Sequence, residues 1–465
     1  MNVSFFNQIK AIAWLTLKEN LRSRVFLVLL GTGVAVTSIS IFFPVIGGIK
    51  EKLLLVESIC LKSITFFGMI IAAVLAATSI PKDIEDKSIF SIITKPVSHI
   101  GLILGKILGV IYVVGITTLF LGAFSVLLIR YAIPVNLVEE AVSRETASNS
   151  LQHKNIKLNT EIANAGYLTA RKQVLSVTQT VKGEHRKSYE GTIWVDGGKG
   201  TSIWTMSGLK SVGLGEYIEM ELDPVLEGGE FFVPLKLSAI NHETGEREAL
   251  VVNAKPGEKF SIFIDSRMAM GSNDFVVEIS AEDPEHYFGL NQEKVKVFYN
   301  SGSFEYNFLK AVMIIFFQIM LIIFIGVAGS TFLKTPAVSI FFVLFFFLCG
   351  YSVDYLKDFS VVIASESSHD HHGHNHGHDD EDDHESESDE KGVGVVTKAA
   401  NNMIKYLFGA LTYVIPNFKK FNSEIYILNR VDIPLKKLFF LFGYASIYFS
   451  ACIGGSMVIV RKQEI

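Results

Sequence analysis

The sequence predicts a membrane α-helical chain of six transmembrane helices, with an extracytoplasmic α+β domain, a helical segment plus a β-sandwich, between spans 3 and 4. Three observations predict it. Of 465 residues, 49% are hydrophobic and only 19% are charged, against roughly a quarter charged in an ordinary soluble domain. There are 36 Phe, and the mean hydropathy is +0.37. Six runs of at least 19 residues hold no Asp, Glu, Lys or Arg: 25–49, 63–81, 107–129, 311–333, 335–353 and 438–460. About 20 apolar residues cross a bilayer. Between the third and fourth runs lies a long block whose second half alternates apolar with polar residues, the signature of strands.

The first element is an amphipathic helix over residues 5–22, within a unit spanning 1–24. Phe6, Ile9, Ala13, Leu17 and Leu21 recur at helical spacing, with Asn7, Lys10, Lys18 and Arg22 on other faces. A cationic helix of this kind is expected along the inner membrane surface. Residues 25–132 then carry spans 1–3. The segment 81–96 between spans 2 and 3 reads as a short helix. Pro81 suits a first helical position, and Asp83, Glu85 and Asp86 favour the positive end of the helix dipole. Ile89, Ile92 and Ile93 form an apolar patch, and Lys95-Pro96 stops the helix. Such a segment is either a solvated loop or a docking surface for a soluble partner.

The block 133–305 is expected to be helical over 135–175, where aromatics are few, and a β-sandwich over 176–305. Thr192-Ile-Trp-Val, Tyr217 to Leu222, Phe231 to Leu237, Phe260 to Ile264 and Phe275 to Ile279 are strand-like runs separated by Gly, Asn, Asp or Pro. Spans 4 and 5 occupy 306–356. The segment 357–394 holds His369, His371, His372, His374, His376, His378 and His384, seven of the chain's twelve His, among the eleven acids that run from Glu366 to Glu390. That composition cannot bury a core. Imidazole and carboxylate suit zinc or copper, so the segment reads either as a metal-collecting loop or as an acidic spacer. Residues 395–437 contain a 13-residue apolar run, Tyr406 to Phe418, too short to span and expected as an interfacial or re-entrant helix. Span 6 and a cytoplasmic tail close the chain over 438–465.

Lys10, Lys18, Arg22 and Arg24, then Lys82, Lys87, Lys95 and Lys106, then Lys334, Arg461 and Lys462 fall on one side of six spans. The positive-inside rule therefore predicts both termini in the cytoplasm. Lys50, Lys52 and Lys62, in the loop expected before span 2, dissent, as do Lys436 and Lys437. The spans themselves carry almost no charge, which disfavours a carrier driven through a midplane carboxylate. Lys62 and Asp354 are read as snorkelling at span ends.

A net charge of −5 excludes a broad basic field, so no nucleic-acid partner is expected. Cys60, Cys349 and Cys452 are far apart and indicate neither a disulfide framework nor a zinc finger. Gly197-Gly-Lys199-Gly-Thr201 is not a phosphate-binding loop, because its Lys precedes Gly and the leading Gly is misplaced. No nucleophile elbow or zinc-protease motif is present. No catalytic residue is therefore assigned.

These parts resemble a bacterial type-2 ABC transporter permease, the six-span membrane half that works with a separate ATPase. Leu17 to Arg24 is similar to that family's elbow helix. Ile80 to Lys106, with Thr94-Lys95-Pro96-Val97-Ser98 and Leu104-Gly105-Lys106, is similar to the coupling-helix region of permeases in the gliding-motility and nitrous-oxide-reductase maturation systems. Ala410 to Phe418 is similar to the outer helix before the last span. The likeness covers most of 1–130 and 306–465. The chain departs from the family pattern in its large outer domain, in its His-rich loop, and at His99, where Arg is usual.

The resemblance implies a transporter subunit in the bacterial inner membrane that is not itself an enzyme. An ABC ATPase would dock at Asp83, Glu85, Asp86, Ile89, Lys95 and Pro96. A second permease copy or paralogue would complete a dimer, with membrane lipid around it. No cofactor is bound directly, and ATP acts through the partner. Two alternatives remain at this level: a zinc- or copper-related permease using the His-rich loop, and a membrane-anchored extracytoplasmic binding protein.

Overall fold

The computed structural model describes residues 5–44, 49–82, 99–132, 169–174, 176–187, 191–207, 217–227, 232–241, 245, 247–255, 257, 259–265, 274–281, 284, 286–333, 335–366, 403 and 415–463. Long helices precede and follow an inserted β domain along the chain. The helices are α1 (Phe5–Leu21), α2 (Arg24–Ile39), α3 (Ile49–Thr78), α4 (His99–Ala132), α5 (Phe304–Phe332), α6 (Pro336–Glu366), the short α7 (Glu424–Leu428) and α8 (Leu435–Gln463). Six of them, α2 to α6 and α8, are long and apolar enough to cross a membrane. That is the mark of a multi-pass membrane protein.

Several boundaries differ from the sequence expectation: α2 ends at Ile39, well before the end of the run 25–49, and elsewhere the difference is chiefly one of extension. The helices run on through isolated charges. α3 begins at Ile49, so Lys50, Lys52 and Lys62 lie in a helix and not in a loop before it. Leu53, Val56, Cys60, Leu61 and Ile64 are buried along it at helical spacing. One charge per turn does not break a helix whose apolar stripe continues. Lys436 and Lys437 likewise fall in the first turn of α8. The expectation of nearly uncharged spans is corrected too. Glu57 in α3, Lys106 in α4 and Lys310 in α5 are all buried. Buried charges of this kind persist where protein groups face them.

The helix α1 forms as expected, but its apolar stripe packs on α4. Ile9, Ala13 and Leu17 are buried. The backbones approach because Gly105 and Gly109 sit one turn apart on α4. A Cβ on Gly105 would lie 2.7 Å from Ile12, and one on Gly109 would lie 2.5 Å from Thr16. Small residues at this spacing are the usual means of close helix packing in membranes. Phe6, Trp14 and Leu15 stay exposed on α1.

The β domain has eleven strands among the described residues, from β1 (Thr169–Gln173) to β11 (Lys296–Ser303). Residues 169–173, inside the stretch read as helical, form a strand paired with β11. Val174 follows it, and the remainder of that stretch lies outside the described residues. Between them run β2 (Ser176–Lys187), β3 (Thr192–Ser207), β4 (Tyr217–Leu222), β5 (Val225–Glu227), β6 (Val233–Asn241), β7 (Arg247–Ala254), β8 (Phe260–Asp265), β9 (Asp274–Ala281) and β10 (Tyr287–Asn291). One sheet has the order β1-β11-β4-β8. The other has β5-β10-β3-β9-β6-β7, with β2 also paired to β3. Both sheets contribute to one core, in which Trp204, Phe275 and Phe288 meet Ile218, Met220 and Val297. Along β6, Val233, Leu235, Leu237 and Ala239 face that core at alternate positions. Pro234 is tolerated because it pairs only with β7, ahead of the first β9 partner at Leu235.

At its C-terminal end the β domain joins α5 without a linker. β11 ends at Ser303 and α5 begins at Phe304. Ser303 caps the helix by accepting from the Tyr306 N–H at 3.4 Å, and Glu305 occupies the first turn. Ser303→Ala is expected to cost about 1 kcal/mol, read as a lower thermal midpoint with the β-domain core unchanged by near-UV circular dichroism.

Candidate functional site

Among the described residues, a dense constellation of charge lies where the β domain meets the helices. Its hub is the chain from Asn429 to Ile433, between α7 and α8. β1 adds to this segment by backbone pairing. The Arg171 N–H donates to the Arg430 carbonyl and the Asp432 N–H donates to the Arg171 carbonyl, both at 2.8 Å. The Arg171 side chain crosses to β4, donating from Nη1 to Glu219 Oε2 at 2.5 Å and from Nη2 to Glu221 Oε1 at 2.8 Å. Its Nε donates to the Asn429 carbonyl at 3.2 Å. The guanidinium lies 3.9 Å over the Phe298 ring of β11. A planar, five-donor head serves this geometry better than an ammonium would.

From the other side, α5 supplies Lys310 and Asn307. Lys310 Nζ donates to Asp432 Oδ1 at 2.5 Å and to the Ile433 carbonyl at 3.1 Å. Its side chain is 7% exposed and that of Asp432 is 13% exposed. Asn307 donates to the Val431 carbonyl at 3.0 Å and accepts from the Ile433 N–H at 2.9 Å. One five-residue segment is thus held by β1 on one side and α5 on the other. Arg130 of α4 also pairs with Glu305 at the start of α5. The arrangement ties the β domain to the helices through one segment.

Beside this junction a cleft of about 360 Å³ opens between α3, α5, α6 and the segment 418–424. Glu424 holds its rim, accepting from Ser58 Oγ at 2.5 Å and pairing with Lys62 Nζ at 3.1 Å. Lys62 is therefore ion-paired along a helix and not simply snorkelling at a span end. Inside, Gln318 Nε2 donates to Tyr351 Oη at 2.9 Å. Ile415 and Phe418, at the end of the short apolar run expected at the interface, are buried against protein. The Phe418 ring sits 5.6 Å from that of Tyr351. The rest of that run, to residue 414, lies outside the described residues.

The sequence-derived docking residues Asp83, Glu85, Asp86, Ile89, Lys95 and Pro96 all lie outside the described residues, as do His369, His371, His372, His374, His376, His378 and His384. What is described is the frame around the first set. Lys82 Nζ, just before it, donates to Glu19 Oε1 of α1 at 2.7 Å. Gly105 and Gly109, just after it, pack on the same helix. Among the described residues, no group of three His, Cys, Asp or Glu could hold a metal ion. The three cysteines are free. Sequence reasoning missed Arg171, Asn307, Lys310, Glu424 and Asp432. The available signal was Lys310, a cation one residue before a long apolar run, which needs a partner if that run is in a membrane.

The fold and junction define a class: a multi-pass membrane chain of six long apolar helices with a β domain inserted between the third and fourth. No family model matches the chain, and no curated protein matches it. Among solved structures, the carbohydrate-binding module TmCBM61, in complex with β-1,4-galactotriose, is 11% identical, with a TM-score of 0.19, over 26% of this chain and 87% of its own. The CBM22-1 xylan-binding domain from Paenibacillus barcinonensis Xyn10C is 11% identical, with a TM-score of 0.18, over 29% of this chain and 88% of its own. The Clostridium thermocellum Xyn10B CBM22-1-GH10 modules, complexed with xylohexaose, are 12% identical, with a TM-score of 0.18, over 29% of each chain. Likeness at this level carries no functional information.

Proposed function

We propose that this chain is the membrane permease subunit of an ATP-driven ABC transporter of the type-2 class, an exporter that works with a separate cytoplasmic ATPase. Two copies, or a copy and a paralogue, form the path. The chain lies in the bacterial inner membrane with both termini cytoplasmic and the β domain outside. One observation carries the reading. A single helix, α1, brackets the segment between α3 and α4, through Glu19 with Lys82 before it and through Gly105 and Gly109 after it. A partner pressing on residues 83–98 would therefore act on α1, α3 and α4 together. The β domain and the 429–433 segment meet each other, as they must if six spans put both on one side.

The test is affinity purification of the tagged, full-length protein from its native host in detergent. A stoichiometric ABC ATPase is expected. Glu85→Arg together with Asp86→Arg is expected to release it while the thermal midpoint of the chain is unchanged. An intact chain that brings down no ATPase would overturn the reading and favour an anchored binding protein. Retention of the ATPase by the double variant would remove the docking surface from the proposal. The zinc- or copper-related form of the permease rests on the His-rich loop, and loss of zinc or copper binding by the full-length protein on its deletion would be its sign.

A further inference from the structure

Two polar side chains, Gln318 of α5 and Tyr351 of α6, line the cleft between α3, α5 and α6 among apolar neighbours. Phe66 and Met69 of α3, Ile315 of α5, Phe347 of α6 and Phe418 line it with them. Gln318 stands fourteen residues from Phe304 and fourteen from Phe332, at the centre of α5. At ~1.5 Å per residue, that is about 21 Å from either end. Gln318 is 3% exposed and Tyr351 37%. A polar group at the middle of an apolar span is costly unless its hydrogen bonds are made.

Gln318 Nε2 donates to Tyr351 Oη at 2.9 Å. That bond leaves two groups over, the Gln318 Oε1 acceptor and the Tyr351 O–H donor. Among the described residues nothing donates to the first and nothing accepts from the second. Thr65, on the same wall, spends its hydroxyl on the Leu61 carbonyl at 2.8 Å. Lys62 and Glu424 neutralise each other at the rim. The two unspent groups are held in place. The Tyr351 ring lies 5.3 Å from Phe347 and 5.6 Å from Phe418. A Cβ on the preceding Gly350 would come within 2.8 Å of the Pro416 carbonyl, so α6 and the 416–418 segment are closely apposed. A site fixed in this way loses little entropy on binding.

We infer that this cleft binds a neutral, hydrocarbon-bodied molecule through a hydroxyl group. The hydroxyl donates to Gln318 Oε1 and accepts from the Tyr351 O–H, and the hydrocarbon lies on Phe66, Met69, Ile315 and Phe347. Hydrogen-bond complementarity selects this occupant, because a hydroxyl carries donor and acceptor on one atom. A carboxylate or phosphate would set negative charge against the Oε1 lone pairs. An ammonium would leave the Tyr351 O–H without an acceptor, and a plain hydrocarbon would satisfy neither group. An apolar helix of a second copy pairs its backbone within itself and brings no such group. The volume of about 360 Å³ lies in the range of small-molecule sites. The inference rests on α5 lying in a membrane and not on the ATPase. Failure to find an ATPase leaves it standing, and failure here leaves the ATPase test untouched.

The test is photolabelling of the full-length protein in detergent with two probes, hexadecanol carrying a mid-chain diazirine and its methyl ether. The ether keeps the acceptor and lacks the donor. Peptide mass spectrometry locates the labels. The alcohol is expected to label Phe66, Met69 and Ile315 about fivefold more than the ether, the scale of one net hydrogen bond. Gln318→Met keeps the side-chain length and removes the acceptor, so labelling by the two probes should become equal. Tyr351→Phe removes the donor that both probes use, so both should label about fivefold less with their ratio kept. A purely structural tie between Gln318 and Tyr351 would instead change both probes alike in either variant. Thermal midpoints check that the variants fold. Equal labelling by the two probes in the unaltered protein would overturn the proposal without any variant. So would a folded Gln318→Met protein that still prefers the alcohol, or a dimer whose cleft neither probe reaches.

Discussion

Replacing Asp432 with Ala is expected to destabilise the protein by about 3–5 kcal/mol, because it strands a buried cation. Lys310 keeps only the Ile433 carbonyl, at 3.1 Å, and the face of the Tyr306 ring, 4.6 Å away. Lys310→Met should cost about as much from the other side, leaving a carboxylate whose remaining cation is the exposed Lys172 at 3.8 Å. The pair Lys310→Met with Asp432→Leu should recover much of the loss, since removing both charges abolishes the desolvation problem. The exposed pair Lys199 and Glu184, at 3.5 Å with both side chains more than 60% exposed, is the control. Glu184→Ala should shift stability by no more than about 1 kcal/mol. Thermal unfolding of the four proteins in one detergent decides the matter. Asp432→Ala unfolding no earlier than Glu184→Ala would show that the buried pair does not hold the junction together. Failure of the double variant to recover would assign the loss to packing.

Gly109→Leu is expected to detach α1 from α4. The position of its Cβ is already 2.5 Å from Thr16 Cβ and 2.9 Å from the Ala13 carbonyl. Neither neighbour is the flexible end of a long side chain, so the helix as a whole must move. Overpacking of this kind costs about 1–3 kcal/mol. The docking of α1 rests on a limited buried stripe of Ile9, Ala13 and Leu17, so that cost is enough to lift it. Hydrogen exchange should speed across residues 5–21 and stay slow in α5. If the ATPase reading holds, the same variant should weaken ATPase recovery, because α1 brackets the docking segment. Unchanged exchange in α1 would mean that the contact yields locally and that the bracket is not rigid.

The six long helices were legible because each buries its polar backbone in itself and needs only an uninterrupted apolar run to be recognised. Their ends were not. A rule that stops at each Lys or Glu cannot see that Lys62 faces Glu424, since that partner is hundreds of residues away. The strands of the β domain were legible from alternation, as along Val233 to Ala239. The start of the domain was not, because β1 is five residues long, carries Arg171 and Lys172, and exists only through its pairing with β11 and with residues 430–432. The helix α1 was legible from its period. That its stripe would find α4 was carried by Gly105 and Gly109, whose spacing acquires meaning only beside Ile12 and Thr16.

By itself, the sequence determined what depends on neighbours along the chain. That covers how many helices are long and apolar enough for a bilayer, where the alternating domain begins to alternate, and the charge of α1. Tertiary structure alone decided what depends on residues meeting across hundreds of positions. It brought Lys310 to Asp432, Arg171 to Glu219 and Glu221, and Glu424 to Lys62. The reason is physical. Apolar burial is additive over a local run and can be summed from composition. A buried charge is tolerated only if a particular partner arrives within a few ångströms, and that partner is chosen by the fold.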